Sequence, residues 1–134
     1  MTPSRRIAAG YFGLQAVAGL VLWTLIATSP TVRSGFDLVE GRPAVTDAYF
    51  FADLVAVATS ALTAIGAWRQ RSWAVVAAAV TLGAVVYPTV YLVAWVALDG
   101  TASPALAVMV PTTVLSGWAT WLLWRAEHPV RSAP

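Results

Sequence analysis

The sequence predicts an all-α integral membrane protein, folded as an antiparallel bundle of four transmembrane helices. Four long apolar runs fill nearly the whole chain, at about 7–28, 49–68, 73–98 and 104–124. Each run is close to the roughly 20 residues that a helix needs to cross the hydrocarbon core of a bilayer. Short connectors after the second and third runs predict adjacent helical hairpins. We therefore expect a single membrane domain over residues 1–134.

The composition points to the same class of protein. Hydrophobic residues make up 59% of the chain and charged residues only 10%, whereas a soluble domain is about a quarter charged. A water-soluble fold of this length would have too little polar surface to cover itself. All eight basic residues are Arg, which together with the abundant Ala and Val is typical of GC-rich bacterial genes.

Several chemistries lack the residue types that they require. The chain has no Cys and one His, His128, which argues against thiol–disulfide exchange, a haem held by two His and a zinc site. It has no Lys for a Schiff base and no Gly-rich phosphate loop. We therefore predict no metal and no cofactor. The net charge of +2 is too small and too scattered to indicate a nucleic-acid partner.

The distribution of arginine predicts the orientation of the chain. Two Arg, Arg33 and Arg42, lie in the connector 29–48 together with three acidic residues. The other six lie before the first run, between the second and third, or after the fourth: Arg5, Arg6, Arg69, Arg71, Arg125 and Arg131. Because basic residues stay on the cytoplasmic side, we expect a multi-pass protein of the cell (plasma or inner) membrane with both termini in the cytoplasm.

The connector 29–48 is the longest outward segment. It places turn-forming Pro and Gly residues around an apolar centre of Phe36, Leu38 and Val39. This pattern predicts an interfacial flap or a short re-entrant helix over the outer end of the bundle.

Small residues mark a packing face on the second run. Ala52, Ala56, Ser60 and Ala64 follow one another at intervals of four residues, which aligns them along one side of a helix. Since small side chains let helix backbones approach closely in lipid, we predict that this ridge faces the bundle interior. Gln15, a polar residue in the first run, is expected to form an interhelical hydrogen bond.

Asp53 is the best candidate for a functional residue, because it is the one acidic residue within an apolar run. An ionisable side chain inside a membrane is costly and usually finds a partner or a watery cavity. Asp53 shares the small-residue face, so it should look into the bundle. Its predicted partners include Arg33 and Arg42 of the connector, and the alternative to a functional role is such a structural ion pair.

Four further residues form the predicted ligand wall in the outer half. Tyr87, Tyr91 and Trp95 recur every four residues on the third run, and Thr112 follows the helix-interrupting Pro111 in the fourth. This aromatic face suits either helix packing or contact with a ligand. Trp23 is predicted to belong instead to the aromatic belt at the outer membrane interface.

Three functions are compatible with these residues. The first is a small bundle that binds a hydrophobic ligand or lipid in its outer half, or an accessory subunit of a membrane complex. The second is a membrane-embedded enzyme acting on a lipid or isoprenoid-like substrate, with Asp53 as acid/base and Tyr87 or Tyr91 assisting. The third is a proton-coupled carrier that uses Asp53. The expected partners are the lipid bilayer and a hydrophobic small molecule, and assembly as a homo-oligomer or within a larger complex stays open.

Overall fold

The computed structural model describes residues 1–36, 43–100 and 104–128. This part of the chain forms helices and contains no strand. The helices are α1 (Pro3–Thr28), α2 (Pro30–Gly35), α3 (Pro43–Trp68), α4 (Ala74–Asp99) and α5 (Leu106–Glu127). All but the short α2 are long and apolar enough to cross a membrane. The prediction of an all-α fold with four long apolar helices is therefore confirmed.

The connector predicted over 29–48 is shorter than expected. Ser29 ends α1 and its hydroxyl accepts the backbone N–H of Val32, which caps α2, while Pro30 occupies the first position of that helix. The helix α3 begins at Pro43 rather than at 49, because proline suits the first position of a helix and the apolar Ala44 and Val45 extend the run. The centre of the predicted flap, with Arg42, lies outside the described residues.

The four long helices pack in a closed ring. Helix α1 contacts α3, α3 contacts α4, α4 contacts α5, and α5 contacts α1. The buried core consists mostly of alanine, with two large side chains: Ala8, Ala9, Phe12, Ala67, Ala74, Ala78, Ala119 and Leu123. Alanine on facing helices permits a close approach of the backbones, so packing and not side-chain bulk holds this end together.

The small-residue ridge of α3 is packed into the ring, as predicted, and it lies against α1. Ala56 and Ser60 are buried, and a Cβ atom added to Gly13 of α1 would lie 3.8 Å from the Cβ of Ala64. Large hydrophobic side chains point the other way, and Phe51 on α3 and Val76 on α4 are among the most exposed residues. The inside of the ring is therefore built from small residues and its outside from large apolar ones.

Helices α4 and α5 continue through the prolines in their interiors. Pro88 lies inside α4 and Pro111 inside α5. Next to Pro88, the hydroxyls of Thr89 and Thr113 are 2.9 Å apart, and Thr113 also donates to the backbone oxygen of Val85 at 3.4 Å. These bonds join α4 to α5 at the level where the prolines weaken the backbone ladders of the two helices.

Two ion pairs tie the ends of the helices together. At one end the guanidinium of Arg5 pairs with the carboxylate of Glu127, joining the start of α1 to the end of α5. Arg5 is buried, with 8% of its surface exposed. At the other end Arg33 of α2 pairs with Asp47 of α3 at 2.6 Å, and both of these side chains are exposed. The second pair holds α2 against the start of α3.

Candidate functional site

A cavity of about 330 Å³ lies inside the ring, at the end that carries α2. Its wall runs from Tyr11 to Ile26 on α1, from Thr46 to Val57 on α3, from Val85 to Thr89 on α4 and from Val108 to Leu115 on α5. Most of this wall is apolar. The cavity volume is within the range of known small-molecule pockets, about 300–1,000 Å³.

Two exposed leucines belong to the wall of the cavity. Leu14 of α1 and Leu115 of α5 both line it, and both side chains are also exposed on the outer surface. Part of the cavity wall therefore also lies on the outer surface of the ring. The prolines at positions 88 and 111 line the same cavity, so the weakened stretches of α4 and α5 border it.

Asp53 contributes the acidic group of the cavity wall. One carboxylate oxygen, Oδ2, accepts a hydrogen bond of 2.9 Å from the indole N–H of Trp23. Phe50 packs edge-on against the Trp23 ring, with centroids 5.1 Å apart, which holds the indole in place. Sequence reasoning missed this pairing because it assigned Trp23 to the interface. The sequence did contain a signal for this pair. Trp23 is an N–H donor near the end of the first run, and in an antiparallel hairpin that end lies level with the start of the second run, where Asp53 is located.

The other oxygen of Asp53 is available for a ligand. Within the described part of the chain, the hydrogen bond from Trp23 is the one that Asp53 accepts, so Oδ1 has no protein donor there. The ion pair predicted with Arg33 does not form, because Arg33 binds Asp47 instead. Arg42, the other predicted partner, lies outside the described residues. The carboxylate is thus neutralised by no described arginine and presents a hydrogen-bond acceptor to an otherwise apolar space.

A second polar cluster closes the cavity toward the alanine-rich core. The hydroxyl of Tyr11 on α1 donates to the backbone oxygen of Thr112 on α5 at 2.9 Å and lies 3.0 Å from the hydroxyl of Ser116. The Ser116 hydroxyl donates to the side-chain oxygen of Gln15 at 3.0 Å, which confirms the interhelical bond predicted for Gln15. Because these groups satisfy one another, the cluster joins α1 to α5, and its side-chain polar groups are already hydrogen-bonded.

The structure separates the predicted site residues into two groups. Asp53 and Thr112 line the cavity, whereas Tyr87, Tyr91 and Trp95 do not. Tyr87 is 75% exposed, and the ring of Tyr91 lies between those of Trp95 and Tyr49, at 6.3 and 6.4 Å. The four-residue spacing does place the three aromatic side chains on one side of α4, but that side turns outward. Tyr49 of α3, which the sequence pattern did not single out, connects this aromatic cluster to the cavity wall.

In the described part of the chain, no three His, Asp or Glu side chains come together in a group that could hold a metal ion. The arrangement instead suits non-covalent binding of an apolar molecule that carries a hydrogen-bond donor. No protein-family model, curated protein or solved structure matches this chain, so its function is inferred from its own residues.

Proposed function

We propose that the chain is an integral protein of the plasma or inner membrane that binds a hydrophobic ligand or lipid in the cavity lined by Asp53. The four long helices would span the bilayer in alternating directions, with both termini in the cytoplasm. The cavity then lies in the outer half of the membrane, and α2 lies at its outer surface.

Two properties of the ring support membrane insertion. Its outside is covered by large apolar side chains, which in water would form an exposed hydrophobic patch of unusual size. Its buried interior is rich in Ala, Ser and Thr, as is usual where helices associate in lipid. The excess of arginine beside the termini and between α3 and α4 supports the orientation.

Reporter fusions test this topology. A reporter that is active only in the cytoplasm should be active at the N-terminus, at the C-terminus and in the turn at Gln70. A reporter active only outside should work in the 29–48 connector. A C-terminus found outside the cell would contradict either the number of spans or the orientation.

The observation that carries the binding proposal is the cavity itself. A protein that served only as a packing element would gain stability by filling this space, since a void forfeits contacts between its walls. The cavity presents mostly apolar surface and one carboxylate oxygen without a described donor. The ligand that complements it is a long apolar molecule with a hydroxyl or similar donor group.

Photolabelling measures occupation of the cavity directly. A long-chain alcohol bearing a diazirine on its chain is added to the full-length protein in membranes, and labelled residues are mapped by mass spectrometry. We expect saturable labelling of cavity residues such as Met109 and Leu22, which unlabelled long-chain alcohol competes away. Labelling confined to the outward-facing side chains, without saturation, would contradict ligand binding and favour the accessory role.

A pair of neighbouring substitutions provides the control. Ala18 lines the cavity, whereas Val17 beside it points outward and does not. Ala18→Trp should fill part of the cavity and remove most of the saturable labelling, because the added indole occupies the space of the probe. Val17→Trp should leave the labelling unchanged.

Catalysis is a second candidate function, because the carboxylate of Asp53 faces the space that a ligand would occupy. In that case Asp53 would act as acid or base on a lipid or isoprenoid-like substrate. The assisting phenol would be Tyr49, which lines the cavity, and not Tyr87 or Tyr91, which do not. The same carboxylate would couple transport to protons in a carrier. Both alternatives require ligand binding first, so the labelling experiment precedes them.

A further inference from the structure

A second depression lies on the outside of the ring, between α1 and α3, at the end opposite to α2. It is a groove of about 510 Å³ lined by Arg6, Ala9, Gly10, Gly13, Leu14, Ala64, Ile65, Trp68 and Arg69. One part of this lining is apolar and built from small residues. The other part carries two arginines and an exposed tryptophan, so the groove has an apolar floor and a cationic end.

The floor is deep because two glycines of α1 face it. A Cβ atom added to Gly10 would meet no atom within 4 Å, so the space above its backbone is open. A Cβ atom on Gly13 would meet only the Cβ of Ala64, at an ordinary distance of 3.8 Å. The surface above Gly10 and Gly13 is therefore an open apolar channel between α1 and α3.

The cationic end lacks matching acids. The groove lining contains no Asp or Glu, and the ion pairs of the described residues involve Arg5 and Arg33, not Arg6 or Arg69. Trp68 is 67% exposed beside these two arginines. Two guanidinium groups at the mouth of an apolar channel complement a phosphate attached to an acyl chain, since Arg binds phosphate with charge-assisted hydrogen bonds.

We propose that this groove is a binding site for one anionic phospholipid of the cytoplasmic leaflet. The phosphate would lie between Arg6 and Arg69, the indole of Trp68 would lie at the level of the headgroup, and one acyl chain would run along Gly10 and Gly13. This inference rests on the proposed membrane insertion and orientation, but not on ligand binding in the Asp53 cavity.

A second copy of the chain is a poorer occupant of the groove. A symmetric dimer within one membrane has its two-fold axis along the membrane normal, so the same end of each copy meets its equivalent. Arg6 and Arg69 of one copy would then face the same residues of the other, with no acid in the lining to offset four like charges. A phospholipid removes this charge and fills the channel at the same time.

Native mass spectrometry of the full-length protein in dodecyl maltoside tests the site. Palmitoyl-oleoyl phosphatidylglycerol is titrated in, with the matching phosphatidylcholine as the zwitterionic comparison. We expect one phosphatidylglycerol to bind about tenfold more tightly than phosphatidylcholine. Equal binding of the two lipids would overturn the proposal, and a dimer that excludes lipid would show the groove to be an interface between copies.

Two matched pairs of variants separate shape from charge. Gly10→Leu adds bulk to the channel at a position where a Cβ atom meets nothing within 4 Å, and it should abolish the single tight site, whereas Gly83→Leu adds the same bulk at an open, exposed position of α4 and should retain it. Arg6→Gln combined with Arg69→Gln should weaken binding about thirtyfold. Arg71→Gln removes a charge from the same turn outside the groove and should have little effect.

The outcomes are distinguishable from failure of the cavity proposal. If Arg71→Gln weakens binding as much as Arg69→Gln, the lipid responds only to the overall charge of this end, and the proposed site is wrong. If Gly10→Leu retains tight binding, the acyl chain does not use the channel. Labelling by the long-chain alcohol should be the same in the parent, Gly10→Leu and the double arginine variant, because Gly10, Arg6 and Arg69 do not line that cavity.

Discussion

Replacing Glu127 with Ala should lower the free energy of unfolding by about 3 kcal/mol, a large effect for a residue at the end of the last helix. The substitution leaves the guanidinium of Arg5 buried without its carboxylate. That group is already incompletely satisfied, because its Nη1 atom has no hydrogen-bond partner in the described structure. A charge that can neither reach water nor find a partner is costly, so the fold should lose more than the energy of one hydrogen bond.

The exposed ion pair at the other end of the protein provides the control. Asp47→Ala breaks the pair with Arg33. The side chain of Arg33 is 38% exposed and that of Asp47 is 61% exposed. Water replaces the lost contact there, so the expected change is within about 1 kcal/mol. The measurement is denaturant-induced unfolding in detergent, followed by helical circular dichroism. Equal losses in the two variants would show that Arg5 is not stranded by the loss of Glu127.

Replacing Asp53 with Asn should preserve the fold and remove the pH dependence of ligand binding. The amide is nearly the same shape as the carboxylate, and its oxygen can still accept the hydrogen bond from Trp23. A hydroxyl donated to a carboxylate is bound more strongly than one donated to a neutral acceptor. In the parent protein, affinity for a long-chain alcohol should therefore rise about tenfold as Asp53 loses its proton.

The alcohol does not titrate in the accessible pH range, so any pH dependence of its binding comes from the protein. Affinity is measured by competition with the photoreactive alcohol at a series of pH values. The curve for Asp53→Asn should be flat, and the curve for Asp47→Asn, which removes an acid outside the cavity on the same helix, should follow that of the parent. A variant at Asp53 that keeps the parental pH profile would reject a working role for this carboxylate.

The number and type of the long helices followed from the sequence, because a helix long enough to cross hydrocarbon must be apolar over about 20 residues. The small-residue ridge was equally predictable, since Ala56 and Ser60 recur at the spacing that aligns side chains on a helix. Asp53 stood out for a related reason, as an acid where charge is expensive. These are properties of single helices, so they can be predicted from the spacing of residues within each helix.

The relations between segments came only from the tertiary structure. In a water-soluble helix the apolar stripe identifies the inner face, but here nearly every face is apolar, so spacing does not reveal which side meets a neighbour. That is why the regular row of Tyr87, Tyr91 and Trp95 was assigned to the ligand wall although it turns outward. The Trp23–Asp53 hydrogen bond was missed for the same reason. It joins two helices, and the sequence does not fix the rotation of either helix about its own axis.

The cavity depends on the same information. Its walls come from all four long helices, and no residue in the sequence specifies how far two helices separate. The buried pair of Arg5 and Glu127 illustrates the point at the opposite end, since both residues would be read as solvated helix ends. The sequence alone determined what each helix is made of, while only packing decided which polar groups meet and where space is left, because in an apolar solvent contacts between helices and not hydrophobicity set their faces.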